Sequence, residues 1–352
     1  MTTTTRPTPA EIRSFRAENP KMRERDIAAT LGISEAALVA AEVGLTATRI
    51  DADANRFLEH VEKLGEVLAL SRNESAVHEK IGVYENIKTG KHASIVLGEN
   101  IDLRVFPSRW AHAFAVTKMD GDQQKLSLQY FDKAGNAVHK VHLRPASNVE
   151  AYHAMVGELR VEDQSQEFAE DRSGYDNGAV DGDVSREELR DHWSRMTDTH
   201  EFVGMLKKLR IARQEAVRNI GDDYAWKLGS TGVADMMNAA VADGLPIMCF
   251  VANEGMVQIH SGPIFNVQTM GPWINVMDPT FHLHLRLDHI TEAWAVRKPT
   301  KDGHVSSVEA YGADGEMIIQ FFGKRKEGFD ERQEWRNIIE ALPKAADESV
   351  AA

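Results

Sequence analysis

The chain has 352 residues, a formal net charge of −13 at neutral pH and one cysteine. This length predicts two domains or one large duplicated unit. So acidic a chain is a poor general binder of nucleic acid or of anionic membranes. The single Cys249 excludes an internal disulfide and fits a reducing, cytoplasmic compartment. We find no secretory signal and no apolar run near the about 18 residues of a membrane span, so we expect no membrane insertion.

The first predicted elements are four helices. Residues 8–11 (TPAE) form a capping box with proline at the first helical position, which predicts a helix to about Glu18. A second helix is predicted over Arg23–Leu31 and a third from the capping Ser34 to Gly44. A fourth is predicted over Ala52–Leu64, before Gly65.

Alternation of apolar and polar residues replaces the helical spacing from residue 93 onwards. It predicts strands at 93–97, 102–106, 111–116, 126–131 and 137–143. The segment Asp132–Gly135 (DKAG) predicts a hairpin turn between the last two strands. Consecutive hairpins predict an antiparallel sheet.

The second half of the chain repeats the first. At an offset of 180 residues, Gly82 falls on Gly262, Lys118 on Lys298 and Gly135 on Gly315, without a gap. The helical segments agree more loosely at an offset of 178, where Leu31 falls on Leu209. Two homologous halves are therefore predicted, each with helices followed by strands.

These observations predict an α+β fold with an internal duplication and one large antiparallel sheet in each half. We place an N-terminal repeat at 1–162, an acidic, glycine-containing linker at 163–184 and a C-terminal repeat at 185–352. A duplicated pair of sheets predicts a ligand cleft between the halves.

Two local motifs have both a functional and a structural interpretation. Residues 26–38 look like a helix-turn-helix, but the would-be recognition helix from Ser34 to Val43 carries Glu35 and Glu42 and no cation, which disfavours DNA binding. His282 and His284 share one face of a predicted strand and form a candidate metal pair. No carboxylate or cysteine ligand is obviously supplied nearby, so a half-exposed strand face is the simpler interpretation.

His200 lies at the start of a predicted helix. The apolar stripe of that helix is Phe202, Met205, Leu206 and Leu209, and His200 lies outside it. We place His200 in the first turn, after a capping Asp198 or Thr199. The positive end of a helix dipole disfavours imidazolium, and a neutral imidazole can ligate iron. On spacing alone, a surface or capping histidine is the favoured interpretation.

Several stretches together resemble a known family. The chain is similar, from Glu11 to Gly328, to the cytoplasmic haemin-degrading or haemin-transport proteins of Gram-negative haem-uptake operons (HemS/HmuS type). The stretches that carry the resemblance are Asp102–Phe106 (DLRVF), Thr199–Phe202 (THEF), Arg213–Ala216 (RQEA), His282–Arg286 (HLHLR), Trp294–Thr300 (WAVRKPT) and Gln320–Arg325 (QFFGKR).

The resemblance implies that haem b is bound between two repeats. It assigns His200 as the axial iron ligand and Arg104 as the distal, catalytic arginine on the other side of the iron. It also implies a set of haem-pocket and propionate contacts: Phe106, Arg213, Lys298, Gln320 and Arg325. The family often has tyrosine where Phe322 stands, so a hydroxyl contact would be absent there.

Three functions remain open at this point. The protein could carry or store imported haem, handing it to a separate haem oxygenase. It could open the ring itself and release iron, with electrons from an external donor, since no nicotinamide or flavin motif is present. It could be a helix-turn-helix regulator. Expected partners are haem, an inner-membrane haem importer and a haem oxygenase or reductase, without nucleic acid.

Overall fold

The computed structural model describes residues 6–173, 182, 184–325 and 328–346, and these form two compact units. Unit 1 takes the described residues of Met1–Arg72, Glu79–Tyr175 and Ala252–Gln258. Unit 2 takes those of Asn73–His78, Asp176–Val251 and Ile259–Ala352. None of the helices within these ranges is long and apolar enough to cross a membrane.

Unit 1 contains five helices and seven complete strands. The helices are α1 (Pro9–Glu18), α2 (Glu24–Leu31), α3 (Glu35–Ala40), α4 (Ala54–Val61) and α5 (Val149–Leu159). The strands are β1 (Ala47–Ile50), β2 (Val67–Arg72), β4 (Ser94–Leu97), β5 (Asp102–Val105), β6 (His112–Asp120), β7 (Gln123–Phe131) and β8 (Ala137–Leu143). Five strands pair antiparallel in the order β1-β6-β7-β8-β2, and β4 pairs antiparallel with β5.

Unit 2 likewise contains five helices, together with eight strands. Its helices are α6 (Arg186–Ser194), α7 (Glu201–Leu209), α8 (Arg213–Asn219), α9 (Gly232–Ala242) and α10 (Gln333–Ala341). Its strands are β9 (Ala225–Lys227), β10 (Ile247–Asn253, up to residue 251), β12 (Val267–Met270), β13 (Trp273–Met277), β14 (Phe281–Arg286), β15 (Glu292–Thr300), β16 (Gly303–Tyr311) and β17 (Met317–Gly323). The residues of β3 (Ala76–Gly82) and β11 (Met256–Gly262) divide between the units.

The two units repeat one architecture, which confirms the predicted α+β duplication. Unit 2 has the strand order β9-β15-β16-β17-β10, and each strand corresponds to its unit 1 counterpart at the offset found in the sequence. Both units have a register shift in the third strand of this run, at Tyr130/Phe131 and at Ala310/Tyr311. The turn glycines Gly135 and Gly315 both adopt positive φ, at 84° and 80°, where glycine is favoured.

The helices also correspond, at the offset of 178. Helix α2 is followed by Gly32 and α7 by Arg210, and both capping residues adopt the left-handed conformation, with φ of 65° and 52°. Arg210 is one of two non-glycine residues with positive φ in the part of the chain that the structure describes. The shared helix end fixes which residues of α7 and α2 are equivalent, and it aligns His200 with Met22 and Asp198 with Pro20.

The predicted helices differ from the observed ones mainly at their ends. The Thr8–Glu11 capping box is present at α1, and α4 begins after the capping Asp53 rather than at Ala52. The third helix ends at Ala40, four residues before Gly44, because turns occupy the intervening residues. Strands β1 and β2 and helices α5 and α10 were not predicted. The predicted linker lies partly outside the described residues, and its residues 163–173 belong to unit 1, where Gln166 donates to Val43 O at 2.9 Å.

Helix α3 is part of the core of unit 1. All six of its residues are buried. Glu35 accepts a hydrogen bond from Lys140 Nζ at 2.9 Å and is also paired with Arg72. A recognition helix must present its side chains to DNA, so this burial supports the structural interpretation of the helix-turn-helix motif.

A buried polar group lies in the same unit. His139 is 1% exposed. The Tyr84 hydroxyl donates to its Nε2 at 2.5 Å, and its Nδ1 lies 2.9 Å from Ser71 Oγ. Burial lowers the pKa of His139 to about 3, because charging a buried imidazole would cost solvation. We therefore expect a neutral His139 in the folded protein.

Candidate functional site

Helix α7 positions His200 at its N-terminus. The predicted apolar stripe is buried at Phe202, Met205, Leu206 and Leu209, while the His200 side chain is 95% exposed. His200 occupies the N-cap position itself, where Asp198 or Thr199 was predicted, and makes no side-chain capping bond. Its imidazole is therefore presented to solvent by a helix whose other face is anchored in the core.

The turn before α7 is held by several hydrogen bonds. Thr197 donates through its backbone N–H and its hydroxyl to the Glu201 carboxylate, at 3.3 and 2.8 Å. Lys301 N donates to Thr197 O at 2.8 Å, which ties the turn to the hairpin between β15 and β16. The start of α7 is thus fixed although His200 is exposed.

The Asp198 carboxylate binds His200 in two ways. Its Oδ1 accepts from the backbone N–H of His200 at 2.8 Å and from the imidazole Nδ1–H at 2.6 Å. These two bonds lower the pKa of Asp198, with a smaller contribution from the nearby Arg325. An ionised carboxylate only accepts hydrogen bonds, so Nδ1 carries the proton and Nε2 is the ring nitrogen available to a metal.

A buried carboxylate, Glu309, organises three of the predicted pocket residues. It is 0% exposed and accepts two bonds from Arg213, through Nε and Nη2 at 2.8 Å each. Lys298 Nζ donates to it at 2.5 Å and Gln320 Nε2 at 2.7 Å. We call this set, completed by hydrogen bonds from the Ser307 and Tyr311 hydroxyls, the Glu309 cluster.

The charges of the Glu309 cluster stabilise one another. Burial alone would raise the pKa of Glu309, but Arg213 and Lys298 lower it well below its usual range. Burial lowers the pKa of Lys298 to about 8, although Glu309 opposes this shift. The two cations and one carboxylate leave the cluster with a net positive charge. Lys298 is 2% exposed, whereas the Arg213 side chain is 21% exposed, so Arg213 is the cation of the pair with more access to a ligand.

Aromatic rings connect this cluster to the start of α7. Phe202, two residues after His200, has Lys298 Nζ 4.7 Å and the Arg213 guanidinium 5.0 Å from its ring centroid. Phe322 has Lys298 Nζ 5.8 Å from its ring and packs edge-on against Phe250 at 5.3 Å. His200, the cluster and Phe322 therefore belong to one region of unit 2.

Arg325, the remaining predicted cation of unit 2, is close enough to Asp198 to lower the pKa of that carboxyl. Its Nη1 donates to Phe329 O at 3.4 Å. Of the six predicted residues in unit 2, Arg213, Lys298 and Gln320 bind Glu309, and His200 binds Asp198. Arg325 acts on Asp198 through its charge.

Arg104 and Phe106 belong to unit 1. Arg104 lies on β5 opposite Ile95, with its side chain 37% exposed and paired with Asp102. Its strand neighbours Leu103 and Val105 are buried, so alternation directs Arg104 away from the core. Phe106 follows the strand, and its backbone N–H donates to Gly255 O at 2.9 Å.

The histidine pair on β14 is less suited to a metal. His284 and Asn275 are directly opposite in the sheet, and His284 Nδ1 lies 2.7 Å from Asn275 Oδ1. Within the described ranges, no group of three or more histidine, cysteine or carboxylate residues could hold a metal ion. This arrangement favours the half-exposed strand face over a metal pair.

Unit 1 has a pocket at the position equivalent to His200, but its chemistry differs. The pocket has a volume of about 450 Å³, and its lining includes Met22, Arg16, Glu24 and Lys118. Arg16 and Lys118 are both paired with Glu24. Met22 stands where unit 2 has His200, so the equivalent site lacks a nitrogen donor at that place.

The donor set of unit 2 fits haem. Haem binding needs a neutral nitrogen donor for iron, an apolar slot and cations for two propionates. In unit 2 the nitrogen donor is His200 Nε2, the half-buried ring of Phe322 offers apolar surface, and the Glu309 cluster with its partly exposed Arg213 supplies positive charge.

The chain belongs to the family of the haemin-degrading HemS.ChuX domain, which it matches twice, over residues 32–159 and 210–342. The two matches fall in the two halves of the repeat and confirm the family resemblance found in the sequence.

Characterised relatives are similar over nearly their whole length. The hemin transport protein HmuS of Yersinia pestis is 38% identical over 328 residues, covering 93% of this chain and 94% of HmuS. The crystal structure of holo-PhuS, a heme-binding protein from Pseudomonas aeruginosa, has a TM-score of 0.93 and 40% identity, covering 96% of this chain and 100% of PhuS. The heme degrading enzyme ChuS of Escherichia coli O157:H7 has a TM-score of 0.86 and 35% identity, covering 94% of this chain and 97% of ChuS.

Proposed function

We propose that this chain binds haem through His200 and handles imported haem, by carrying it and by opening its ring with electrons from an external donor. The observation that carries the proposal is the exposed imidazole of His200, whose Nδ1–H is bound by Asp198 so that Nε2 is left for iron. The names of the relatives support it, since they describe hemin transport, heme binding and heme degradation.

The other residues have separate roles in this proposal. Arg213 binds a propionate with the part of its guanidinium that is not engaged by Glu309, and Lys298 and Gln320 hold Glu309 in place. Phe322 contributes apolar surface, and Arg325 adds positive charge beside Asp198. Arg104 supplies donors on the distal side of the iron, with Phe106 as an apolar contact. Bound haem supplies the iron at which oxygen chemistry takes place.

The ligand in this proposal is haem b, the iron protoporphyrin IX of imported haem. We place the protein in the cytoplasm, which fits its single, buried and unpaired Cys249. Expected partners are an inner-membrane haem importer that delivers haem and a reductase that supplies electrons. A pure carrier would instead hand haem to a separate haem oxygenase, and the similarity to a heme-binding protein favours this as the second candidate.

One experiment separates these functions. Haem-loaded protein is incubated with ascorbate, with and without catalase, while the Soret band and released iron are followed. Peroxide formed in solution destroys haem without enzymatic catalysis. Only a loss of the Soret band that persists with catalase therefore counts as enzymatic. The proposal expects persistent loss and iron release. If haem stays intact and transfers to a haem-free acceptor protein, only the carrier function remains supported. Failure to bind haem would overturn both the carrier and the haem-degrading function.

A further inference from the structure

The pair of bonds between Asp198 and His200 points to a second role in the same site. We propose that Asp198 is a positioning residue that fixes the tautomer of His200 and strengthens His200 as a ligand of ferric iron. This inference rests on the proposed function, in which His200 binds haem iron. It adds a residue that the family resemblance in the sequence did not single out.

The geometry of the acceptor carries the first step. Both bonds end on the same oxygen, Oδ1, with the backbone N–H of His200 at 2.8 Å and Nδ1 at 2.6 Å. The side chains of Asp198 and His200 are 55% and 95% exposed. The backbone bond orients the carboxylate, so its position does not depend on the imidazole alone. Glu201 N donates to Asp198 O at 3.1 Å and anchors Asp198 to α7.

The chemistry of the pair carries the second step. Metal-ligating histidines donate their other ring N–H to a carboxylate or carbonyl, and this fixes the tautomer and makes the ligating nitrogen more basic. A hydrogen bond to an ionised acceptor is about twice as strong as a neutral one. A more basic imidazole stabilises ferric over ferrous iron, because the higher charge gains more from the stronger donor.

The duplication supplies an independent indication. The left-handed ends at Gly32 and Arg210 align the two helices, and Pro20 and Met22 then occupy the places of Asp198 and His200. Unit 1 therefore has neither the nitrogen donor nor its carboxylate at these places. The two residues occur together in the unit that has the candidate ligand, as expected of a functional pair.

The first test uses the haem-free protein at a pH above neutrality. Nitrogen-15 NMR of histidine-labelled protein, with His200 assigned by its loss in His200→Ala, reports which ring nitrogen carries the proton. We expect the Nδ1–H form to dominate in the wild type and the Nε2–H form to gain in Asp198→Ala. Equal tautomer populations in both proteins would overturn the inference, whether or not haem binds.

The second test uses haem-loaded Asp198→Asn and Asp198→Ala. Asparagine keeps a neutral acceptor, and alanine removes it, so ferric haem affinity relative to ferrous should fall in the order wild type, Asn, Ala. Loss of an outer-shell partner typically costs 10–100-fold in metal affinity. A tenfold selective loss for ferric haem corresponds to a rise of about 59 mV in midpoint potential, measured by spectroelectrochemistry.

Glu201→Gln is the matched control, because it removes one negative charge from the adjacent residue while its amide oxygen still accepts from Thr197. We expect a smaller potential shift in Glu201→Gln than in Asp198→Asn. Equal shifts would mean that net charge alone is responsible and would overturn the inference. If His200→Ala leaves the haem spectrum unchanged, the proposed ligand is wrong, and the NMR result still decides the Asp198 bond separately.

Discussion

Replacing Glu309 by glutamine should destabilise unit 2 strongly. The carboxylate is fully buried and binds two cations, with Arg213 at 2.8 Å and Lys298 at 2.5 Å. Glutamine is nearly isosteric but neutral, and its amide group is itself a donor that would face the donors of Arg213 or Lys298. The substitution therefore removes charge compensation with little change in packing.

The size of the effect follows from the burial of the cluster. Removing one partner of a buried ion pair costs about 3–5 kcal/mol, because the remaining charge is left uncompensated. Lys298 is 3% exposed in its side chain and cannot regain much hydration in place. A second substitution, Lys298→Met in the Glu309→Gln background, should restore part of the loss, because it removes the uncompensated cation.

Hydrogen exchange measured along the chain is the suitable assay, because two units need not unfold together. Amides of β15–β17 should lose protection in Glu309→Gln, while those of β6–β8 serve as an internal reference. Glu340→Gln is the control, since Glu340 forms an exposed pair with Arg297, and such pairs contribute about 0–1 kcal/mol. An effect of Glu309→Gln no larger than that of Glu340→Gln would refute the assigned role of the cluster.

Three further predictions concern binding and pH. Arg213→Ala and Lys298→Ala should each weaken haem binding, and for Arg213 the loss should be about 1.5–3 kcal/mol. Neither substitution should move the Soret band, and a strong spectral shift in either variant would contradict their peripheral role. Absorbance titration should saturate at one haem per chain, and saturation at two would contradict the chemical inequality of the halves. The free energy of unfolding should fall by about 3 kcal/mol from pH 6.5 to 4 on account of His139, whose pKa is about 3 when folded and 6.5 otherwise. The unfolded chain binds more protons in this range, and an unchanged pH dependence in His139→Gln would contradict this assignment.

The repeat was the most informative feature of the sequence. Its offsets depend on side-chain identities that survive in both halves, and they predicted the equivalent turns at Gly135 and Gly315. Helix ends were less predictable, because the residues after Ala40 form turns although their composition remains helix-like. Short strands such as β1 (Ala47–Ile50) alternate too briefly to be distinguished from a loop.

The residues of the candidate site could be proposed one by one from the sequence, but their arrangement could not. His200 and the cations could be named from the family resemblance, whereas Glu309 was missed because its role depends on strand pairing. Glu309 lies opposite Gln320 in the sheet, and that pairing brings together residues distant in sequence. A carboxylate between the apolar Val308 and Ala310 was the available signal, since a glutamate within a buried strand needs a partner.

The role of Asp198 was also only partly visible. The sequence indicated Asp198 or Thr199 as the helix cap, because both residue types are preferred at the N-cap position. The structure shows instead that its oxygen binds both the backbone and the imidazole of His200. Which side chain an exposed carboxylate reaches depends on local backbone geometry, which spacing does not determine.

The spectrum of ferric haem bound to His200→Ala tests the central claim most directly. The His200 side chain is 95% exposed and outside the apolar stripe of α7, so its removal should leave no core cavity and little loss of stability. His282→Ala and His284→Ala are the matched controls on β14. The account predicts a changed ligation spectrum in His200→Ala and spectra close to wild type in both controls. A wild-type spectrum in His200→Ala together with a changed one in His284→Ala would move the ligand to the strand and contradict the account.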